Sequence, residues 1–264
     1  MARLIRAHPL TAYVVLAYVL SITVGLLLNV SLIFGLLALF GPATAAFVVT
    51  GVWRGRAGID DLWAVTTRWR VHPGWYVAAL GLPVAGAAIG HVLYVLAGNT
   101  PLAVPGAVEP ILILLFFLVI GEEIGWRGFL LRGLLRDRSP IVATMIVAVV
   151  WTLWHSPLYF IPGMPNYGQP FLAFAAWVVP FAFLLTWIWL GTGSAWLATI
   201  MHGSGNLAAS LVFPQTDPGT LFVFSGIGMT VVALPLVLMS WSRWISAKED
   251  LEESDVPVMT PAQG

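Results

Sequence analysis

Glu122 and Glu123 stand side by side in an apolar run that opens ILILLFFLVI at Ile111, and Arg127 follows within the same run. A carboxylate taken out of water is stable only with partners. On a helix Glu123 and Arg127, at i and i+4, share one face, so Arg127 is the expected partner of Glu123 and the pair is expected to hold structure. Glu122 is turned ~100° around the helix from Glu123 and finds no partner in its own sequence neighbourhood. An unpaired carboxylate at membrane depth marks a functional site by default.

His155, His202 and Asn206 are polar residues inside other apolar runs, and Asn206 lies one helical turn beyond His202 on the same face. A carboxylate with imidazoles suits the activation of a water, by general base catalysis or through a bound divalent cation. A histidine with an asparagine suits hydrogen bonding to a developing oxyanion. Glu122, His155 and His202 would serve equally well as ligands of Zn2+. Other chemistries are poorly supplied. Ser156 follows His155 but would point elsewhere, and Ser204 offers no better geometry, which argues against a Ser–His nucleophile. The spans hold no aspartate pair of the kind an acid–base dyad needs. The chain has 0 cysteines, which removes thiol nucleophiles, disulfides and Cys-based zinc sites together. His72 and His91 are read as structural.

The surroundings of these residues follow from composition. The chain has 264 residues, 59% hydrophobic and 9% charged, against about 25% charged in soluble domains. It reads as an all-α polytopic membrane protein, and the lipid bilayer is its first partner. Net charge is +0, which points away from nucleic acid. Arg3 and Arg6 precede an apolar run as in a signal peptide, but no A-x-A-like cleavage site follows, so the run is read as a retained first helix.

Apolar runs of about 20 residues cross a ~30 Å hydrocarbon core, and about eight are present: 9–29, 31–52, 75–98, 110–134, 140–161, 171–190, 194–213 and 220–241. The first two meet at Asn29. Between Arg54 and Gly74 lies a polar connection with a short helix on the membrane surface, and Gly86 and Gly90 have the spacing that lets helices approach closely. The region 1–241 is expected to form a single transmembrane domain, and 242–264 a polar, acidic, disordered tail. Eight spans put all but Arg127 of the 12 Lys and Arg residues on one side, so both termini are expected in the cytoplasm. A rise of ~1.5 Å per residue then places Glu122 and His202 ~12 Å, Asn206 ~18 Å and His155 ~22 Å from the cytoplasmic face, all in the inner half or middle of the bilayer.

Taken together, Glu122-Glu123-x-x-x-Arg127, Trp151-x-x-x-His155 and His202-x-x-x-Asn206 resemble the three motifs of the CPBP family. These are the type II CAAX prenyl endopeptidases and their bacterial relatives, including bacteriocin-processing proteins, whose motifs read EExxxR, FxxxH and HxxxN. The resemblance covers about residues 110–213, and Trp151 stands where the family has phenylalanine, one large aromatic for another. It implies an intramembrane endopeptidase of a bacterial plasma membrane, acting on a membrane-associated peptide or protein substrate, prenylated or C-terminal. Glu122 and His155 would activate the attacking water, His202 and Asn206 would stabilise the oxyanion, and Glu123 with Arg127 would hold the helix. A metalloprotease route, with Zn2+ or another divalent cation on Glu122, His155 and His202, and a metal-free glutamate route both stay open. So do two other functions: a non-catalytic scaffold or immunity-type protein, and a proton-coupled transporter using Glu122 and the histidines as a relay. A transporter needs a polar path to both faces, and the first three runs offer almost no residues to build one.

Overall fold

Proline and glycine set the ends of the helices. Pro9, Pro42, Pro73 and Pro140 fall in the first turns of their helices, where the absent N–H costs nothing. The computed structural model describes residues 2–26, 32–101, 110–162, 166–212 and 218–245, and no strand occurs among them. In order they form α1 (Ala2–Ala7), α2 (Pro9–Gly25), α3 (Leu32–Ala38), α4 (Gly41–Thr66), α5 (Pro73–Leu96), α6 (Pro110–Leu118) and α7 (Ile120–Gly125). A π-helical segment, Trp126–Leu131, leads to α8 (Arg132–Leu134) and α9 (Pro140–Trp154), and a 3-10 turn, Ser156–Tyr159, follows. The chain continues through α10 (Phe171–Thr192), α11 (Ala195–Val212), α12 (Pro218–Met239) and α13 (Trp241–Ile245).

The chain is thus an all-α membrane protein. Among the described residues, Ile33–Thr66, Pro73–Leu96, Phe171–Thr192 and Gly219–Met239 are long and apolar enough to cross a membrane, and Pro9–Gly25 and Pro140–Trp154 are shorter apolar helices. The run expected at 110–134 is not one helix, because it breaks at Val119 and widens into the π segment. The run expected at 140–161 leaves the α-helix at Trp154. The junction at Asn29 and most of the expected tail, 246–264, lie outside the described residues.

Two groups of helices flank the Glu-Glu segment. On one side α2 packs on α4 and α4 on α7; on the other, α5, α10, α11 and α12 pack together, α11 also touches α6 and α7, and α9 joins α10 to the π segment. The core between them is rich in tryptophan, with Trp126, Trp151 and Trp189 fully buried. Val15, Val77, Val84, Leu172, Val231 and Leu238 instead point outward, an apolar exterior that suits lipid rather than water. Gly86 and Gly90 do mark a close helix crossing: a Cβ at either would meet Met229 or the backbone of Phe224 on α12.

The short helix expected between Arg54 and Gly74 is the end of α4 beyond a kink. Gly55 has φ 62 and ψ −152, a conformation that glycine alone adopts readily. Past the kink, Asp61 accepts from Arg54 Nη1 at 2.7 Å and from Arg132 Nη2 at 2.9 Å, tying this connection to the end of the π segment. At the start of α11, Gly193 closes α10 in the left-handed conformation at φ 59. Ser194 then caps α11 by accepting from the Leu197 N–H at 3.0 Å, and its own hydroxyl donates to the carbonyl of Arg68. These contacts fix the register of the helix that carries His202.

Candidate active site

The helix break at Val119 is what turns both glutamates inward. The Val119 carbonyl accepts from the N–H of Glu122 at 3.0 Å and of Glu123 at 3.1 Å, and α7 restarts there with every residue from Gly121 to Gly125 buried. Gly125 allows this depth, since a Cβ there would collide with the Tyr13 hydroxyl and Pro42. The π segment begins at the next residue, and such widened turns gather at functional sites because they cost stability.

Glu123 is fully buried, and its Oε1 accepts from Arg127 Nη1 at 2.8 Å. The pairing expected from the i,i+4 spacing is therefore present. The same oxygen also accepts from His202 Nδ1 at 2.8 Å, a contact that links α11 to α7 and that sequence reasoning had not foreseen. The Arg127 guanidinium lies over the Trp151 ring, 4.7 Å from its centroid, so an aromatic face joins Glu123 in stabilising the buried cation.

Glu122, 3% exposed, is not left without partners. Its Oε2 accepts from the Trp151 indole N–H at 2.7 Å and more weakly from that of Trp126 at 3.4 Å. Trp126 sits at i+4 from Glu122, so two adjacent i,i+4 pairs run along the same turn. Trp151 comes from α9 and does what a phenylalanine could not, because it brings a donor as well as a ring. Among the described residues Glu122 Oε1 makes no hydrogen bond.

His155 caps the C-terminal end of α9. Its Nδ1 donates to the Trp151 carbonyl at 2.9 Å, which leaves Nε2 to face a ligand. Trp154 and Phe174 hold the ring edge-on, each with its centroid at 4.8 Å. His155 also lines an apolar cavity of about 130 Å³, together with Ser21, Ile22, Leu39, Trp154 and Pro157. His202 packs its ring edge against Trp151, with centroids at 5.0 Å, and against Phe181 at 5.8 Å. Asn206 is half-buried one turn further along α11, and its side-chain amide makes no hydrogen bond among the described residues.

The structure thus gathers Glu122, His155 and His202 around one indole, that of Trp151, and sets Glu123 and Arg127 beneath them. His72, His91 and Ser204 stay outside. His72 caps α5 by accepting from the Gly74 N–H at 3.1 Å, and His91 stacks on Tyr94 at 6.3 Å. Ser204 donates to the Leu80 carbonyl at 2.8 Å, a helix-packing bond that faces away from the imidazoles. The signals that sequence reasoning passed over were the indole nitrogens of Trp151, read only for ring size, and of Trp126, which was not considered.

The fit of a metal can be judged from the donor atoms. Among the described residues no three His, Cys, Asp or Glu side chains form a group able to hold one ion. His202 has committed Nδ1 to Glu123, and Glu122 has committed Oε2 to Trp151. Glu122, His155 and His202, expected as possible metal ligands, do not form such a group as placed here, while Glu122 Oε1 and the two Nε2 atoms stay uncommitted.

A buried carboxylate with two imidazoles and an amide supplies the groups that activation of a water would need. Residues 104–208 match the family described as Rce1-like, type II CAAX prenyl endopeptidase Rce1-like. The chain is also 31% identical over 136 residues to a protein named CAAX prenyl protease 2 from Methanococcus maripaludis, a match covering 49% of this chain and 49% of that relative. The aligned part is therefore about half the length of the curated relative. The matched segment, which holds Glu122, Glu123, Arg127, His155, His202 and Asn206, is similar to this CAAX protease family.

Proposed function

We propose that the protein is an intramembrane endopeptidase that hydrolyses a peptide bond near the C-terminal end of a membrane-associated chain, with a prenylated substrate favoured by the name of its relative. The observation that carries this reading is Glu122: one carboxylate oxygen is pinned by indole N–H groups and the other makes no hydrogen bond, and the Trp151 ring that holds it also packs against His155 and His202. A carboxylate in that state is poised to act as a base toward a water.

The steps follow from the free atoms. His155, with its Nδ1 proton on the Trp151 carbonyl, accepts a hydrogen bond from the water at Nε2 and orients it. Glu122 takes a proton from that water as its oxygen attacks the scissile carbonyl carbon. The oxyanion that forms is met by the Asn206 amide and by His202 Nε2, since His202 Nδ1 is already occupied. Donation from Nε2 requires His202 to carry both protons, and Glu123 lies beside it to balance that charge. Glu122 then returns its proton to the leaving nitrogen as the C–N bond breaks. The route is metal-free, which the donor geometry favours over one that uses Zn2+.

Eight spans, with 1–241 as a single transmembrane domain, a catalytic core at 110–213 and both termini in the cytoplasm of a plasma-membrane protein, complete the proposal. It rests on the segregation of the 12 Lys and Arg residues. The purified protein in lipid vesicles, given a fluorogenic peptide with and without a farnesyl group, tests the reading. Cleavage is expected, faster for the farnesylated peptide, and lost in Glu122→Ala and His155→Ala. A wild-type rate from Glu122→Ala would overturn the proteolytic assignment.

A further inference from the structure

Trp151 touches Glu122, Arg127, His155 and His202. Its indole N–H donates to Glu122 Oε2 at 2.7 Å, and its ring carries the Arg127 guanidinium at 4.7 Å. The same ring braces the edge of His202 at 5.0 Å, and its backbone carbonyl accepts from His155 Nδ1 at 2.9 Å. It is 1% exposed and is itself packed against Phe181. We propose that Trp151 is a positioning residue, whose N–H locks Glu122 in one rotamer so that Oε1 alone addresses the reacting water.

The argument turns on what the carboxylate would do without that bond. A glutamate has three side-chain torsions, and the second indole, Trp126, lies at 3.4 Å, too far to fix the group alone. Glu122 would then be free to turn toward Arg127, the nearest buried cation, which Trp151 separates from it by ring stacking on one side and by the N–H on the other. A base that spends its time on a neighbouring cation is not available to a water, and misplacement of a reacting group by about 1 Å costs on the order of 100-fold in rate. A phenylalanine would keep the stacking face and lose the donor. The position read from sequence as a neutral aromatic exchange is thus where this chain adds a hydrogen bond to the site.

This inference rests on the proposed hydrolytic role of Glu122, and its test separates the two. Trp151 is replaced by phenylalanine and, separately, by 3-benzothienylalanine, which keeps the bicyclic shape but has no N–H. Both should fold with wild-type yield and lower kcat roughly 10- to 100-fold, with KM changed less than about twofold. A benzothienyl variant with wild-type kcat would overturn the proposal, as would a rise in KM with kcat intact. A readout without turnover is the 15N indole resonance of Trp151, assigned by its loss in Trp151→Phe. It should move in Glu122→Ala, which removes the acceptor, and an unmoved resonance would overturn the hydrogen bond. A resonance that moves in a protein without proteolytic activity would sink the hydrolytic reading while the bond itself stood.

Discussion

His202 Nδ1 lies 2.8 Å from Glu123 Oε1, joining α11 to α7 across 79 residues of chain. Glu123 is therefore shared between the cation on its own helix and an imidazole of the proposed oxyanion site. Removing its charge leaves the buried Arg127 cation facing a neutral amide and the Trp151 ring, and losing the charged partner of a buried pair costs about 3–5 kcal/mol. Glu123→Gln is expected to lower both folded yield and the thermal midpoint in detergent, and to slow turnover in the fraction that folds. Wild-type yield and midpoint would remove the structural role.

Glu122→Gln should behave differently. The amide oxygen of glutamine can still accept from the Trp151 and Trp126 indoles, so the packing at 2.7 and 3.4 Å survives. What disappears is the base. Wild-type elution and melting, together with turnover at least 10³-fold lower, is the expected result, since general base catalysis contributes roughly 10²–10⁴-fold. A Glu122→Gln protein that aggregates while Glu123→Gln does not would reverse the two roles.

The pairing of Glu123 with Arg127 was legible because i,i+4 spacing is a local rule, and the close crossing at Gly86 and Gly90 because small residues leave a pattern. The break at Val119 and the π segment were not, since a run of uniformly apolar residues carries no period to interrupt. His202 and Glu122 could be placed at similar depth by counting residues. Which glutamate the histidine would reach depends on helix rotation, and a helix buried on most of its faces gives rotation no apolar stripe to report. Partners for Glu122 were missed because the indole N–H was counted as part of an apolar ring.

Asn206 tests the oxyanion assignment. Its amide makes no hydrogen bond among the described residues and lies one turn beyond His202. Asn206→Ala should fold normally and lose roughly 10²–10³-fold in kcat, and Asn206→Asp, which replaces the donor by an acceptor, should lose at least as much. Equal kcat for wild type and Asn206→Ala would take the residue out of the site.

Topology can be read chemically because the chain contains 0 cysteines. Single cysteines introduced at residues 105 and 165 should react with a membrane-impermeant thiol reagent from outside the cell, and one at Arg136 only after the membrane is opened. Labelling of residue 105 or 165 only in opened cells would overturn the arrangement with both ends in the cytoplasm.

The last expectation concerns metal, and it follows from how the donor atoms are already engaged. Glu122 Oε2 accepts from Trp151, His155 Nδ1 donates to a backbone carbonyl and His202 Nδ1 donates to Glu123. One oxygen and two Nε2 atoms remain, on side chains held by rings on several sides, and among the described residues they form no group that could hold an ion. A catalytic Zn2+ asks for three protein ligands, at about 2.0–2.2 Å for His and carboxylate. Reaching that geometry would mean drawing Glu122 Oε1 and the two Nε2 atoms together from where the surrounding rings hold them. Purified protein treated with a strong chelator and then exchanged into metal-free buffer should therefore keep its full rate, and elemental analysis should find less than stoichiometric zinc. Loss of activity on chelation, with recovery on adding back Zn2+ and not Mg2+, would replace the glutamate route with a metal one.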